Sequence, residues 1–97
     1  MRFEIVLAPE AAGELRALKA NVRSIVRAAI EEHLRHEPTK ASKSRIKRLR
    51  GIRRPQYRLR VDEIRIFFDV IDSTVEILAI VAKPEAEAWL AQFGNLE

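Results

Sequence analysis

Tyr57-Arg58-Leu59-Arg60-Val61-Asp62-Glu63-Ile64-Arg65-Ile66-Phe67-Phe68-Asp69-Val70-Ile71-Asp72-Ser73-Thr74-Val75-Glu76-Ile77-Leu78-Ala79-Ile80-Val81 decides the fold. It reads as three strands in an antiparallel meander, with turn signals at Asp62-Glu63 and Asp72-Ser73. Two-residue loops there set the register: 61 faces 64, 60 faces 65, 58 faces 67, and 70 faces 75. Side chains alternate across a sheet, so one face collects Tyr57, Leu59, Val61, Ile64, Ile66, Phe68, Val70, Val75, Ile77, Ala79 and Val81. That uncharged face is where helices should pack. The other face collects Arg58, Arg60, Arg65, Phe67, Asp69, Glu76, Leu78 and Ile80. Arg60 then lies opposite Arg65, and like charges paired across strands are destabilising. Either an anion belongs on this face, or Asp69, Glu76, Glu85 or Glu87 neutralises the arginines internally. Phe67 is open to two readings: a stacking platform for a base, or a small satellite core under the last helix.

Immediately upstream, Pro38 to Arg60 holds ten of the eighteen Lys and Arg residues and no acid. The formal +4 is therefore about +10 here against −6 elsewhere, the polarity of a surface that meets a polyanion and releases its counterions. Within the run, Ile46 to Arg50 is a basic strand broken by Gly51. The Lys-, Ser- and Thr-rich residues 38–45 are expected to lack order without a partner. Further back, Phe3 to Leu7 is a short strand. Pro9 suits the first position of a helix reaching about Lys19, with Ala11, Leu15 and Leu18 on one side. Asn21 is expected to cap a second helix, in which Val22, Ile25, Val26, Ala29, Ile30, His33 and Leu34 recur at helical spacing. Glu37-Pro38 ends it. His33 and His36 have no third ligand at supporting spacing, so His33 is expected to be partly buried, His36 exposed, and no metal is expected.

Downstream, Lys83-Pro84 opens a last helix with Ala86, Trp89, Leu90 and Phe93 on one face and Gly94 at its stop. Ninety-seven residues imply one domain, 1–97, with one two-layer core. Without cysteine there is no disulfide, thiolate metal site or cysteine nucleophile. No apolar run is long enough to span a membrane, and the opening apolar run is too short for a signal peptide, so a cytoplasmic location is expected. The fold class is α+β: an antiparallel twisted sheet of four to five strands, a helical hairpin on one face, and a short C-terminal helix.

This order of elements, with Tyr57-Arg58-Leu59-Arg60-Val61, Ile64-Arg65-Ile66-Phe67-Phe68-Asp69-Val70 and Val75-Glu76-Ile77-Leu78-Ala79-Ile80-Val81, resembles the RelE/ParE superfamily of toxins from type II toxin–antitoxin modules. The resemblance covers nearly the whole chain and is most specific between Leu49 and Lys83. It implies one of two activities. RelE-like members cleave messenger RNA in the ribosomal A site; ParE-like members inhibit DNA gyrase without catalytic residues. The RelE-like branch implies a metal-independent endoribonuclease with no small-molecule cofactor. Arg60, Arg65 and Lys83 are its catalytic candidates, and Lys47, Arg48, Arg50, Arg53, Arg54, Arg58 and Phe67 its RNA-binding ones. The implied partners are the ribosome with its message and a cognate antitoxin contributing an acidic, amphipathic helical segment. After the last strand RelE has an arginine and then a tyrosine, where this chain has Pro84 and Leu90. Glu85 and Glu87 stand nearby as possible proton-transfer groups. The departure at Pro84 and Leu90, above all the missing tyrosine, leaves open a third reading, a catalytically weakened member that acts with its antitoxin as an autorepressor.

Overall fold

The computed structural model describes residues 1–96. Strands β1 (Glu4–Leu7), β2 (Ile46–Arg48), β4 (Tyr57–Val61), β5 (Ile64–Ile71) and β6 (Thr74–Ala82) form a sheet ordered β1-β6-β5-β4-β2. β3 (Ile52–Arg54) pairs separately with β7 (Asn95–Leu96). The expected meander is present in its expected register, including Arg60 opposite Arg65 and Val70 opposite Val75. Asp62 and Asp72 take positive φ at the two turns, the left-handed geometry that two-residue hairpin loops require. The sheet is mixed, not wholly antiparallel, because β1 joins β6 in parallel.

One feature of β6 changes the expected faces. The β5–β6 register shifts between Phe67, opposite Ala79, and Phe68, opposite Ile77, so Leu78 is an extra residue. Such a bulge reverses the alternation beyond it. Ile80 therefore joins the main core, while Ala79 and Val81 turn to the other face beside Phe67. The Ile80 N–H is satisfied by the Glu14 carboxylate of the first helix, at 2.9 Å.

Helices α1 (Pro9–Ala17) and α2 (Ala20–Leu34) pack on the apolar face. Pro9 opens α1 with Glu10 in its first turn, as the helix dipole favours. Asn21 is not the cap of α2: the helix begins at Ala20, after the extended residues Leu18 and Lys19, and Asn21 lies inside its first turn. Arg23 accounts for the tight junction, its Nη2 donating to the carbonyls of Leu18 (2.8 Å) and Arg16 (3.2 Å) at the exposed end of α1. α2 ends at Leu34, before Glu37-Pro38, where Arg35 Nη1 donates to the Phe3 carbonyl and ties the helix to β1. Leu34, Val26, Leu59, Ile66, Phe68 and Ile77 are fully buried together, each worth about 1.5–3 kcal/mol of transfer free energy. Along residues 38–45, Pro38 is buried and the Ser42 hydroxyl accepts from the backbone N–H groups of Arg45 and Ile46. His33 is partly buried and His36 exposed. No helix among the described residues is long and apolar enough to cross a membrane.

A 3-10 turn (Lys83–Glu85) leads into α3 (Ala86–Phe93), which lies on the sheet face opposite α1 and α2. Gly94 ends α3 in extended backbone (φ −70°) instead of the left-handed cap. Glycine is needed for space: a Cβ there would fall 2.5 Å from the Leu90 carbonyl oxygen.

Candidate nucleic-acid interface

Cross-strand register assembles the candidate site. Lys47, Arg58, Phe67 and Ala79 form one row across β2, β4, β5 and β6; Arg60, Arg65 and Val81 form the next. α3 covers the middle of this face, with Ala86, Trp89 and Leu90 packing on Phe67, Ala79 and Val81. An open cleft of about 790 Å³ remains beside it, lined by Lys47, Arg58, Arg65, Lys83 and Glu87, with Leu49, Phe67, Pro84, Ala86 and Leu90 as its apolar part.

The cations differ in how they are held. Arg65 is only 7% exposed, and its Nη1 donates to the carbonyls of Asp62 (2.8 Å) and Ile64 (3.0 Å), clasping the β4–β5 turn. Arg58 is half-buried, and its Nε is buried with no hydrogen-bond partner among the described residues. Burial first, then the charges of Arg65 and Arg60, lower its pKa from the ordinary arginine value. Arg60 is exposed at the rim, where its backbone N–H donates to the Arg45 carbonyl at 2.9 Å. Lys83 extends the rim, its own N–H donating to the Glu63 carbonyl.

The other candidates are scattered. Arg48 lies over the Tyr57 ring, 5.1 Å from its centroid, on the helix-bearing face and not in the cleft. Arg50 and Arg53 are exposed on either side of Gly51, which turns the chain at φ +73°. Arg54 is occupied: its Nε is 2.9 Å from Asp69 and its Nη2 2.7 Å from Glu76, two carboxylates that face each other across β5 and β6. Internal neutralisation therefore operates on this face, but through Arg54, which stands outside the meander. Phe67 is the satellite core, not the platform: it is 1% exposed and its ring stacks on Trp89 at 5.0 Å and 5°. The indole occupies the face that a base would need.

The structure separates the two glutamates. Glu87 lines the cleft, whereas Glu85 adds its charge to the field at Glu14, on the α1 side. Pro84 and Leu90 both line the cleft as well. The two positions that lack the resembling family's arginine and tyrosine thus stand at the site, with Lys83 and Glu87 beside them.

No family model matches the chain, and no curated protein matches it significantly. Solved structures do. The E. coli toxin RelE, an arginine double mutant in the free state, superposes with a TM-score of 0.69 at 23% identity over 94% of this chain and 93% of that one. The fold is RelE-like. A RelB–RelE antitoxin–toxin complex from Methanococcus jannaschii gives a TM-score of 0.65 at 20% identity, covering 87% of this chain and 96% of the other. The YoeB dimer of Staphylococcus aureus gives 0.56 at 17% identity, covering 81% and 94%. On this RelE-like scaffold the cleft lies on the sheet face away from the helical hairpin, walled by α3.

Proposed function

We propose that residues 1–97 act as one domain, the toxin of a type II toxin–antitoxin module, and that it is a cytoplasmic, metal-independent endoribonuclease cleaving messenger RNA in the ribosomal A site. The observation that carries this reading is the cleft in which Lys47, Arg58, Arg65 and Lys83 converge around a single carboxylate. Such a site suits a phosphodiester passing through a pentavalent state. The 2′-oxygen attacks the adjacent phosphorus, the P–O5′ bond breaks, and a 2′,3′-cyclic phosphate and a 5′-hydroxyl result. Guanidinium and ammonium groups stabilise the added negative charge. Lys47 and Arg58 hold the RNA, while Arg60, Arg65 and Lys83 supply the field at the phosphorane. Glu87, which lines the same cleft, takes the proton of the 2′-hydroxyl and returns one to the 5′-oxygen. Arg50, exposed on the β2–β3 turn, and Arg53, exposed on β3, face ribosomal RNA.

The antitoxin contributes an amphipathic helical segment, acidic where it crosses the cationic cleft. Pro84 and Leu90 in the cleft favour one alternative, a weakened enzyme that serves with its antitoxin as autorepressor. Induced expression, alone and as Arg65→Ala, with primer extension on abundant messages, tests both. Growth arrest with new 5′ ends inside translated codons, lost in the variant, supports the ribosomal nuclease. Arrest with intact messages points to gyrase, and no arrest from well-expressed protein to the autorepressor.

A further inference from the structure

We infer that the sheet face on the far side of α3 from the cleft is a docking surface for a basic, apolar segment of a partner protein, and that an arginine of this segment enters a hollow between α3 and the start of α1. This surface shares no lining residue with the cationic cleft.

α3 divides the face because its side chains serve two sites. Ala86, Glu87 and Leu90 line the cleft, whereas Trp89 and Phe93 line a second hollow of about 400 Å³. Leu78, the extra residue of the β6 bulge, and Ala8 and Glu10 at the start of α1 help to complete it. Register continues the surface outward from there: Val6, Glu76 and Asp69 form one row across β1, β6 and β5, and Thr74 and Ile71 lie in the next. Val6 and Ile71 are exposed, and Phe93 is 57% exposed although its ring rests against Trp89, 5.6 Å between centroids. Apolar side chains grouped in this way beside a hollow mark an interaction surface.

Charge selects the occupant. Arg54 is the one cation among the described residues lining the hollow, and Asp69 and Glu76 already hold it. Glu10 is exposed and has no cationic partner among the described residues. With burial as the larger cause, Glu10 and Glu85 both raise the Glu14 pKa, so negative potential extends along α1. The polarity is the reverse of the cleft's, and an acidic segment suited to the cleft is repelled here. A second copy related by a two-fold axis would set this same acidic surface against itself, which disfavours it. Arginine fits better than lysine, because a guanidinium both pairs with a carboxylate and stacks on an aromatic ring, and Glu10 and Phe93 line the same hollow. Apolar neighbours of that arginine cover Val6 and Ile71.

Two capped peptides test this on the full chain, one alternating leucine with arginine and the other leucine with glutamate. Fluorescence anisotropy reads the affinity and proton–nitrogen NMR reads the site. The arginine peptide is expected to bind one to one and to move the signals of Glu10, Leu78, Phe93 and the Trp89 indole; the glutamate peptide should leave those signals unmoved. Glu10→Lys should weaken the arginine peptide about tenfold, since attraction becomes repulsion. Glu10→Gln, which keeps the shape of the side chain, should weaken it about threefold, and Phe93→Ala about fivefold. No binding of the arginine peptide, binding that moves signals only at other surfaces, equal binding of the two peptides, or an affinity indifferent to both Glu10 variants overturns the inference. So does sedimentation that shows the free chain self-associating and Phe93→Ala monomeric, which gives the surface to a second copy.

Discussion

Arg54→Ala tests whether the basic run is wholly available to a partner. Arg54 joins two carboxylates that register places side by side, Asp69 and Glu76, and the Asp69 side chain is only 5% exposed. Removing one partner of a buried ion pair costs about 3–5 kcal/mol, since the other charge stays buried. Arg54 itself is 48% exposed, so solvent screens part of the loss, and Asp69 keeps the Gln56 N–H at 2.7 Å; about 2 kcal/mol is the discounted figure. For a chain of this size that is a fall in Tm of roughly 10 °C. Burial already raises the Asp69 pKa, against the pull of the Gln56 N–H and Arg54, and losing Arg54 raises it further. The penalty should therefore be larger at pH 7.5 than at pH 5, because the orphaned carboxylate is relieved by protonation as pH falls. Urea denaturation at both pH values reads it. The triple variant Arg54→Met, Asp69→Asn, Glu76→Gln, which removes all three charges and keeps an acceptor for Gln56, should return to within about 1 kcal/mol of the native protein. A loss below about 0.5 kcal/mol at both pH values, the size of an ordinary surface substitution, would refute the staple and leave Arg54 free for RNA.

The two glycines of the helices should respond in opposite directions. Gly13→Ala, with no atom nearer its Cβ than Arg16 Nη2 at 3.9 Å, should gain about 0.5–1 kcal/mol of helix stability. Gly94→Ala should lose about 1–3 kcal/mol through the clash with Leu90; paired melting curves show both. Trp89→Ala should cost about 3 kcal/mol, the usual figure for emptying an aromatic site, and abolish the near-UV circular dichroism of the stacked Phe67–Trp89 pair. Burial chiefly, with Glu10 and Glu85 adding, raises the Glu14 pKa over the opposing Ile80 N–H bond. The folded state then holds more protons than the unfolded one, so stability falls as pH rises through the window between the ordinary and the raised values. Acidification through that window should stabilise the native protein through Glu14 and Asp69, and Glu14→Gln should flatten that slope in a pH series of urea midpoints.

Sequence by itself determined the meander and its register, because alternation has a period of two and the Asp62-Glu63 and Asp72-Ser73 loops admit one closure. It determined equally that Arg58, Arg60 and Arg65 share a face, and that this face bears a cationic site. Local patterning could not show that Leu78 bulges. The bulge depends on where β1 stops pairing with β6 and where Glu14 from α1 reaches the Ile80 N–H. Nor could it show that the second strand of the basic run would pair with Asn95–Leu96, some forty residues away, where no periodic signal exists. That pairing and the turn at Gly51 bring Arg54 to Asp69 and Glu76. The packing of α3 puts Trp89 on Phe67. Charge and periodicity are properties of the chain; which cation is spent inside the protein and which stays open in the cleft depends on distances that only packing sets.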